Sequence, residues 1–340
     1  MISIVQMSRQ SYALVILALP LVVLVTLYAI FYHDDTAGHD VYYLWLEGKR
    51  IIDGENPYAR VLEGNMLYNN KYATYFPVFY WLSGFTQLAG FRDYPTWVLF
   101  WKIIFDMAHA GTGLLIFWIL WQQSLLLGIF GGVVWWFNRW SINVIGVANM
   151  DFLPVFFLLL SMYWFERRPN SSLLLFGLSL GLKQIGIFML PVYLIWVWQR
   201  EPSLKRLVVA LLLISGITIV AATPFLLRNP ASFVMSILFS ATRLPQSGFG
   251  IMSIDAQFGL VGLPAKFPMA MLLLMLYAGV WQRAIRKFTA GLLTMTVFID
   301  FNSVFFEQYL VWAAPFFPLL VCDYAEKLPN TFSRNQLPVS

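Results

Sequence analysis

Charge is scarce in this chain: 11% of its 340 residues are Asp, Glu, Lys or Arg, against roughly 25% in soluble domains. Cysteine is nearly missing. Cys322 stands alone, which excludes an internal disulfide framework and a cysteine-built metal site. The three histidines, His33, His39 and His109, give no basis for a His-rich metal centre. No tandem repeat of fixed period and no low-complexity tract is visible, and collagen, coiled-coil and disordered compositions are excluded by the same figures. What fills the chain instead is apolar: 59% of residues, with 18% aromatic. A water-soluble core of this size could not hide so much apolar surface. The expected class is an all-α, polytopic membrane protein, and 340 residues leave room for about eight to eleven crossings of roughly 20 residues each.

Apolar runs separated by charge or by Pro and Gly breaks give the organisation. The run 12–32 follows Arg9 and reads as a retained first helix, since it lacks the short core and cleavage site of a signal peptide. A polar, Tyr-rich stretch, 33–75, comes next and holds seven acids from Asp34 to Glu63; a connector of that length is expected to fold against the membrane surface. The segment 76–91 is short and Pro-interrupted and predicts a surface-lying or re-entrant helix. Further candidate crossings are 96–120, 125–147, 152–165, 173–182, 185–198, 207–227, 267–281, 288–301 and 308–321. Gly177 and Gly181 form a G-x-x-x-G, a close-packing signal.

Charge then sets orientation. Basic residues recur at alternate ends of the crossings: Arg167 and Arg168, then Arg200, Lys205 and Arg206, then Arg283, Arg286 and Lys287, then Lys327 and Arg334. Lys and Arg in short loops mark the cytoplasmic side. About ten helices then place both termini inside. The chain reads as one transmembrane domain over 1–340, with a first outer loop at 33–75 and a second at 228–266.

Several polar residues at the outer boundary are candidates for chemistry, because charge there is costly unless it is paired or used. Asp40 follows the first run and can serve as a general base or as a helix cap. Asp151, in Asn149-Met150-Asp151, stands between two apolar stretches, where a cap is again the alternative. Lys183 interrupts an apolar hairpin and either snorkels outward or meets an anion. Arg228 and Arg243 lie in an outer stretch with no acid before Asp255, and an arginine fork suits a phosphate. Phe306-Glu307-Gln308-Tyr309 and Trp312 open the last helix, where an interfacial aromatic belt is the plain reading.

Taken in order, these pieces resemble the GT-C superfamily of membrane glycosyltransferases, which use polyprenyl-phosphate-linked sugars, and in particular its mannosyltransferase-like branches. The family's Asp and Tyr after the first helix correspond to Asp40-Val41-Tyr42, its G-x-x-P-Y to Gly54 through Tyr58, and its Y-x-P-P to Tyr75-Phe76-Pro77. A turn like Gly146 to Asp151, a hairpin lysine like Lys183, a T-P-F-L-L like Thr223 to Leu227 and a closing H/F-E-Q-Y-x-x-W-x-x-P like Phe306 to Pro315 follow. The resemblance spans most of the chain; single motifs are weak and their order carries it. Two positions depart: Gly38 replaces the first acid of a D-x-D, with Asp34 or Asp35 just upstream, and Val78 replaces the second proline of Y-x-P-P.

The resemblance implies a sugar, mannose or another hexose, transferred from a polyprenyl-phosphate donor to a lipid-linked or glycan acceptor on the extracytoplasmic or lumenal face. Asp40 would be the base. Arg243, Arg228 and Lys183 would bind the donor phosphate, and Asp35, Tyr42, Tyr58, Asp151, Glu307, Gln308 and Trp312 would contact substrate. No cofactor is firmly expected, although Asp34, Asp35 and Asp40 together could hold a divalent cation with waters. Membrane lipid is an expected partner and nucleic acid is not; a partner subunit is left open. The rival from another class is a transporter or lipid-sugar flippase, with Lys102, Asp106, Lys183 and Asp300 lining a path, but no inverted repeat supports it.

Overall fold

The structure is a computed structural model, and it describes residues 36, 39–65, 71–242, 244, 246–247 and 253–324. The expected first crossing at 12–32 and the candidate residues Asp35 and Arg243 lie outside the described residues.

The chain is mostly helical. In order, the helices are α1 (Asp40–Ile52), α2 (Val78–Leu88), α3 (Tyr94–Trp121), α4 (Leu125–Phe137), α5 (Arg139–Gly146), α6 (Phe152–Trp164), α7 (Pro169–Leu182) and α8 (Leu190–Arg200). Then come α9 (Leu204–Arg228), α10 (Pro230–Thr242), α11 (Ile254–Phe258), α12 (Phe267–Trp281), α13 (Lys287–Asp300), α14 (Leu310–Ala313) and α15 (Phe316–Tyr324). Short 3-10 turns span Ala59–Leu62, Gln184–Met189, Leu263–Lys266 and Glu307–Tyr309. Two residue pairs, Gln246 with Val304 and Ser247 with Phe305, run parallel as β1 and β2.

Among the described residues, three helical stretches are long and apolar enough to cross a membrane: Tyr94–Trp121, Leu204–Arg228 and Pro264–Trp281. The bent pair α4 and α5, which meet at 44°, makes a fourth if counted as one span. Other expected crossings are shorter or broken. Helices α6 and α7 have 13 and 14 residues, about 20 Å at 1.5 Å per residue, less than the roughly 30 Å of a hydrocarbon core. The expected 185–198 run divides into a 3-10 turn and α8, and 308–321 divides at Pro315 between α14 and α15. The first break begins beside Lys183, a polar residue that interrupts the apolar pattern; the second falls at Pro315, which cannot continue a helix.

Both expected outer loops contain helices. Helix α1 opens the first; its apolar Val41, Leu44 and Ile51 face inward and it packs along α2. The approach is close because Gly48 lacks a side chain: a Cβ there would fall 2.3 Å from Ser83 Oγ. Ser83 donates to the Leu44 carbonyl at 2.9 Å and Gln87 to that of Trp45 at 2.9 Å, so the helix pair is bonded as well as packed. Gly177 plays the same part between α7 and α9, where a Cβ would meet the Ile214 carbonyl oxygen at 2.2 Å. Helix α3 starts at Asp93, whose carboxylate accepts from Thr96 N at 3.0 Å, with Pro95 in its first turn, a standard N-terminal signal.

The basic turns gather at one end. Arg200 donates to the Glu166 carbonyl at 2.9 Å, and Gln199 donates to those of Val280 and Trp281 at 3.0 and 2.9 Å. The α6–α7, α8–α9 and α12–α13 connections therefore meet. Lys183 and Lys266 stand at the far ends of α7 and α12, so the opposite end of the bundle carries its own charge.

Candidate functional site

At that opposite end lies a cavity of about 360 Å³. One wall is the inner face of α1, where Asp40, Tyr43, Leu44 and Glu47 all line the cavity; offsets of three, four and seven put them on one helical face. The other walls are largely aromatic and include Tyr75, Phe76, Phe298, Phe306, Tyr309 and Trp312. Tyr309 stacks on Trp312 with ring centroids 4.2 Å apart.

Asp40 sits in the first turn of α1 and caps nothing. Its Oδ1 instead accepts from Lys71 Nζ at 2.9 Å, and the two side chains remain 35% and 36% exposed. Burial pushes the Asp40 carboxyl up, but the Lys71 ammonium, with Lys183 and the Gln308 side chain behind it, outweighs this and holds the group below the ordinary carboxylate value. Asp40 is therefore an ionised acceptor with an accessible oxygen. Lys71 itself has φ +53°, an uncommon conformation for a residue with a side chain, and also lies over the Tyr43 ring at 5.5 Å.

A second lysine–aspartate pair faces the same cavity from behind its wall. Lys183 Nζ donates to Asp151 Oδ1 at 2.6 Å, and Trp312 Nε1 donates to the same oxygen at 2.9 Å. The side chains are 5% and 0% exposed. Asp151 makes no side-chain cap on α6; its carboxylate is spent on these two partners, and its Oδ2 has no hydrogen-bond partner among the described residues. The turn that presents it contains Ala148 at φ +51°. Lys183 lies between the rings of Tyr75, at 4.9 Å, and Trp312, at 5.5 Å, so an aromatic box holds its ammonium toward the cavity.

A third lysine, Lys266, closes the far side. It pairs with the fully buried Asp255 and donates to the Phe301 carbonyl at 2.7 Å and to Ser303 Oγ at 3.0 Å. The strap carrying Tyr75 is fixed by hydrogen bonds: Tyr58 Oη donates to the Tyr75 carbonyl at 2.8 Å, and Gln184 Nε2 donates to the Thr74 carbonyl at 2.5 Å.

The structure thus brings together Asp40, Lys183 and Trp312 as cavity-lining residues, with Asp151 bonded to two of them and the Gln308 side chain near enough to the first to favour its charged form. Other candidates stand apart. Tyr42 packs against Tyr43, Trp45 and Tyr94. Tyr58 is fully buried against Tyr80, Phe225 and Phe233. Glu307 pairs with Arg139 at 3.4 Å. Arg228 is exposed and donates to the Gly54 carbonyl at 2.7 Å, tying α9 to the turn after α1. None of these four is among the cavity-lining residues.

Sequence reasoning missed Lys71, Glu47 and Lys266. Glu47 carries a readable signal, seven residues after Asp40 on the same helical face. Lys266 interrupts an apolar stretch just as Lys183 does. Lys71 carries none, because only the fold carries it 31 residues back to Asp40. Among the described residues, no group of three or more His, Cys, Asp or Glu is arranged to hold a metal ion. Comparison with protein-family models finds no match, and comparison with curated proteins finds none either.

Proposed function

We propose that this protein is a multi-pass membrane glycosyltransferase of GT-C type, moving a hexose such as mannose from a polyprenyl-phosphate donor to a lipid-linked or glycan acceptor. The observation that carries the reading is an ionised, accessible Asp40 in an aromatic-walled cavity with lysines on both sides of it. Aromatic faces suit sugar rings and isoprenoid chains alike, through apolar contact. Asp40 takes the proton of the acceptor hydroxyl as its oxygen bonds to the anomeric carbon. The bond from that carbon to the phosphate oxygen breaks, and the phosphate keeps the electron pair. A weak base suffices, because the phosphate departs as a stable anion. Lys183 and Lys71 stand where they offset its negative charge. Arg243 remains a candidate for the same task, four residues after Phe239, which lines the cavity.

The ten-helix arrangement belongs to this proposal. So does its sidedness. The basic turns at 165–168, 199–206 and 281–287 mark a cytoplasmic end by the positive-inside rule, which puts the cavity on the extracytoplasmic face. A divalent cation held by Asp40 together with Asp34 or Asp35 is compatible with the scheme and is not required by it.

One observation favours the rival class. Helix α3 buries Lys102, Asp106 and His109 in an apolar span, and Asp106 Oδ2 and both His109 nitrogens have no hydrogen-bond partner among the described residues. Buried ionisable groups of this kind line ion or substrate paths in transporters. Mass spectrometry of lipid-linked glycans formed by the purified protein in detergent, where no bilayer separates donor from acceptor, separates the two readings. A glycosyltransferase lengthens the acceptor by one hexose there; a flippase leaves donor and acceptor unchanged.

A further inference from the structure

Glu47 is the one cavity-lining carboxylate that the scheme above does not use. Its side chain is 2% exposed. Oε1 carries both of its ion pairs, with Arg50 at 2.5 Å and Arg60 at 3.5 Å, whereas the buried Oε2 has no hydrogen-bond partner among the described residues. A buried carboxylate oxygen without a donor is costly, by about as much as the hydrogen bond it lacks or more, so an occupied cavity gains by supplying one.

The donor's chemistry follows from what surrounds the site. Arg50 and Arg60 bind Glu47, and Lys71 stands on the same wall at Asp40; together they repel a second cation. A neutral hydroxyl meets no such opposition. Tyr43, which is half-buried, lines the cavity with Glu47 and offers a flat apolar face of the kind a sugar's C–H surface covers, while Tyr72 and Tyr80 are buried in the same wall. Along α1, Glu47 lies seven residues beyond Asp40, about 10 Å at the helical rise. A hydroxyl held there is therefore remote from the one that loses its proton to Asp40.

We infer that Glu47 Oε2 is the acceptor of a carbohydrate subsite, binding a non-reacting hydroxyl of the sugar substrate and so selecting among hydroxylation patterns. This rests on the glycosyltransferase reading. Arg50 and Arg60 keep the carboxylate oriented by occupying its other oxygen, so the free oxygen is presented in one direction.

The test uses the full-length protein in lipid nanodiscs with a short-chain polyprenyl-phosphate mannose and its monodeoxy analogues, measuring binding and transfer. One deoxy position is expected to weaken binding to the unaltered protein at least tenfold. Glu47→Gln should weaken binding of the parent sugar by a similar factor, leave kcat within about threefold, and show no further loss with that deoxy analogue. Equal binding of every deoxy analogue by the unaltered protein overturns the subsite, and needs no variant to fold. Additive losses in Glu47→Gln overturn it as well. Failure of the unaltered protein to bind any of the sugar lipids removes the glycosyltransferase reading and the subsite with it, whereas transfer with indifference to deoxygenation removes only the subsite.

Discussion

Of the three lysine–aspartate pairs at the cavity, Lys71–Asp40 and Lys183–Asp151 differ in nearly everything but composition. Lys71–Asp40 is a third exposed on both sides, whereas Lys183–Asp151 is closed off from solvent. In the open pair one partner comes from a helix start and the other from a strap, and the Asp40 carboxylate keeps a face toward the cavity. In the closed pair one carboxylate oxygen holds both the ammonium and the Trp312 indole. An exposed pair contributes little to stability. A buried one is strongly destabilising when only one partner is removed, and often close to neutral when both are replaced by apolar groups. The comparison separates a carboxylate free to exchange protons from one that fixes a wall.

The largest expected stability effect follows from breaking the closed pair. Asp151→Leu strands the Lys183 ammonium among aromatic rings and should cost about 3–5 kcal/mol, read as a lower unfolding temperature in detergent. Adding Lys183→Met should recover most of that loss while leaving sugar transfer impaired, since the cavity then lacks one cation. Recovery of transfer along with stability would reduce Lys183 to scaffolding.

Breaking the open pair should act on chemistry and hardly on folding. Lys71→Met is expected to change stability by less than about 1 kcal/mol. Asp40 now titrates below its ordinary value because of Lys71, against the upward pull of burial. The pair's contribution to stability is present at neutral pH and fades only as pH falls through that lowered titration. Without Lys71 the burial effect stands less opposed, so the acid limb of turnover should move to higher pH. A limb that stays in place would show that Asp40 is not the titrating base.

The smallest expected effect is at Arg228. It hydrogen-bonds the Gly54 carbonyl from an exposed position, so Arg228→Ala should change stability by about 1 kcal/mol or less and turnover by no more than about threefold. A loss of a hundredfold in turnover with normal donor binding would place the departing phosphate there and away from the lysines.

How much of this was legible in the sequence depends on the range of the interaction. The helical class follows from apolar content alone, whereas the Asp93 cap and Pro95 start of α3 are local signals that sequence reasoning missed. Asp40, Lys183 and Trp312 stood out because each breaks or closes an apolar pattern, and the fold gathers them on one cavity. Span lengths were less legible. Residues 185–198 and 308–321 read as continuous apolar runs, yet the fold breaks the first after the inward-turned Lys183 and the second at Pro315. Pairings were not legible at all. Whether Asp151 caps a helix or binds Lys183 is decided by a contact 32 residues away, and Arg228 looks like a phosphate ligand until its carbonyl partner is known. Glu47 was the avoidable miss, since the seven-residue spacing from Asp40 is a local fact.

The most direct measurement follows label from a radiolabelled polyprenyl-phosphate hexose through the purified protein and its Asp40→Asn variant, both in nanodiscs with an acceptor fraction. The account predicts that label reaches the acceptor and free polyprenyl phosphate appears in equal amount. It also predicts that Asp40→Asn lowers the rate by about 10²–10⁴-fold, the range of a lost general base, with unfolding temperature unchanged. Transfer at an undiminished rate by the folded variant would contradict it.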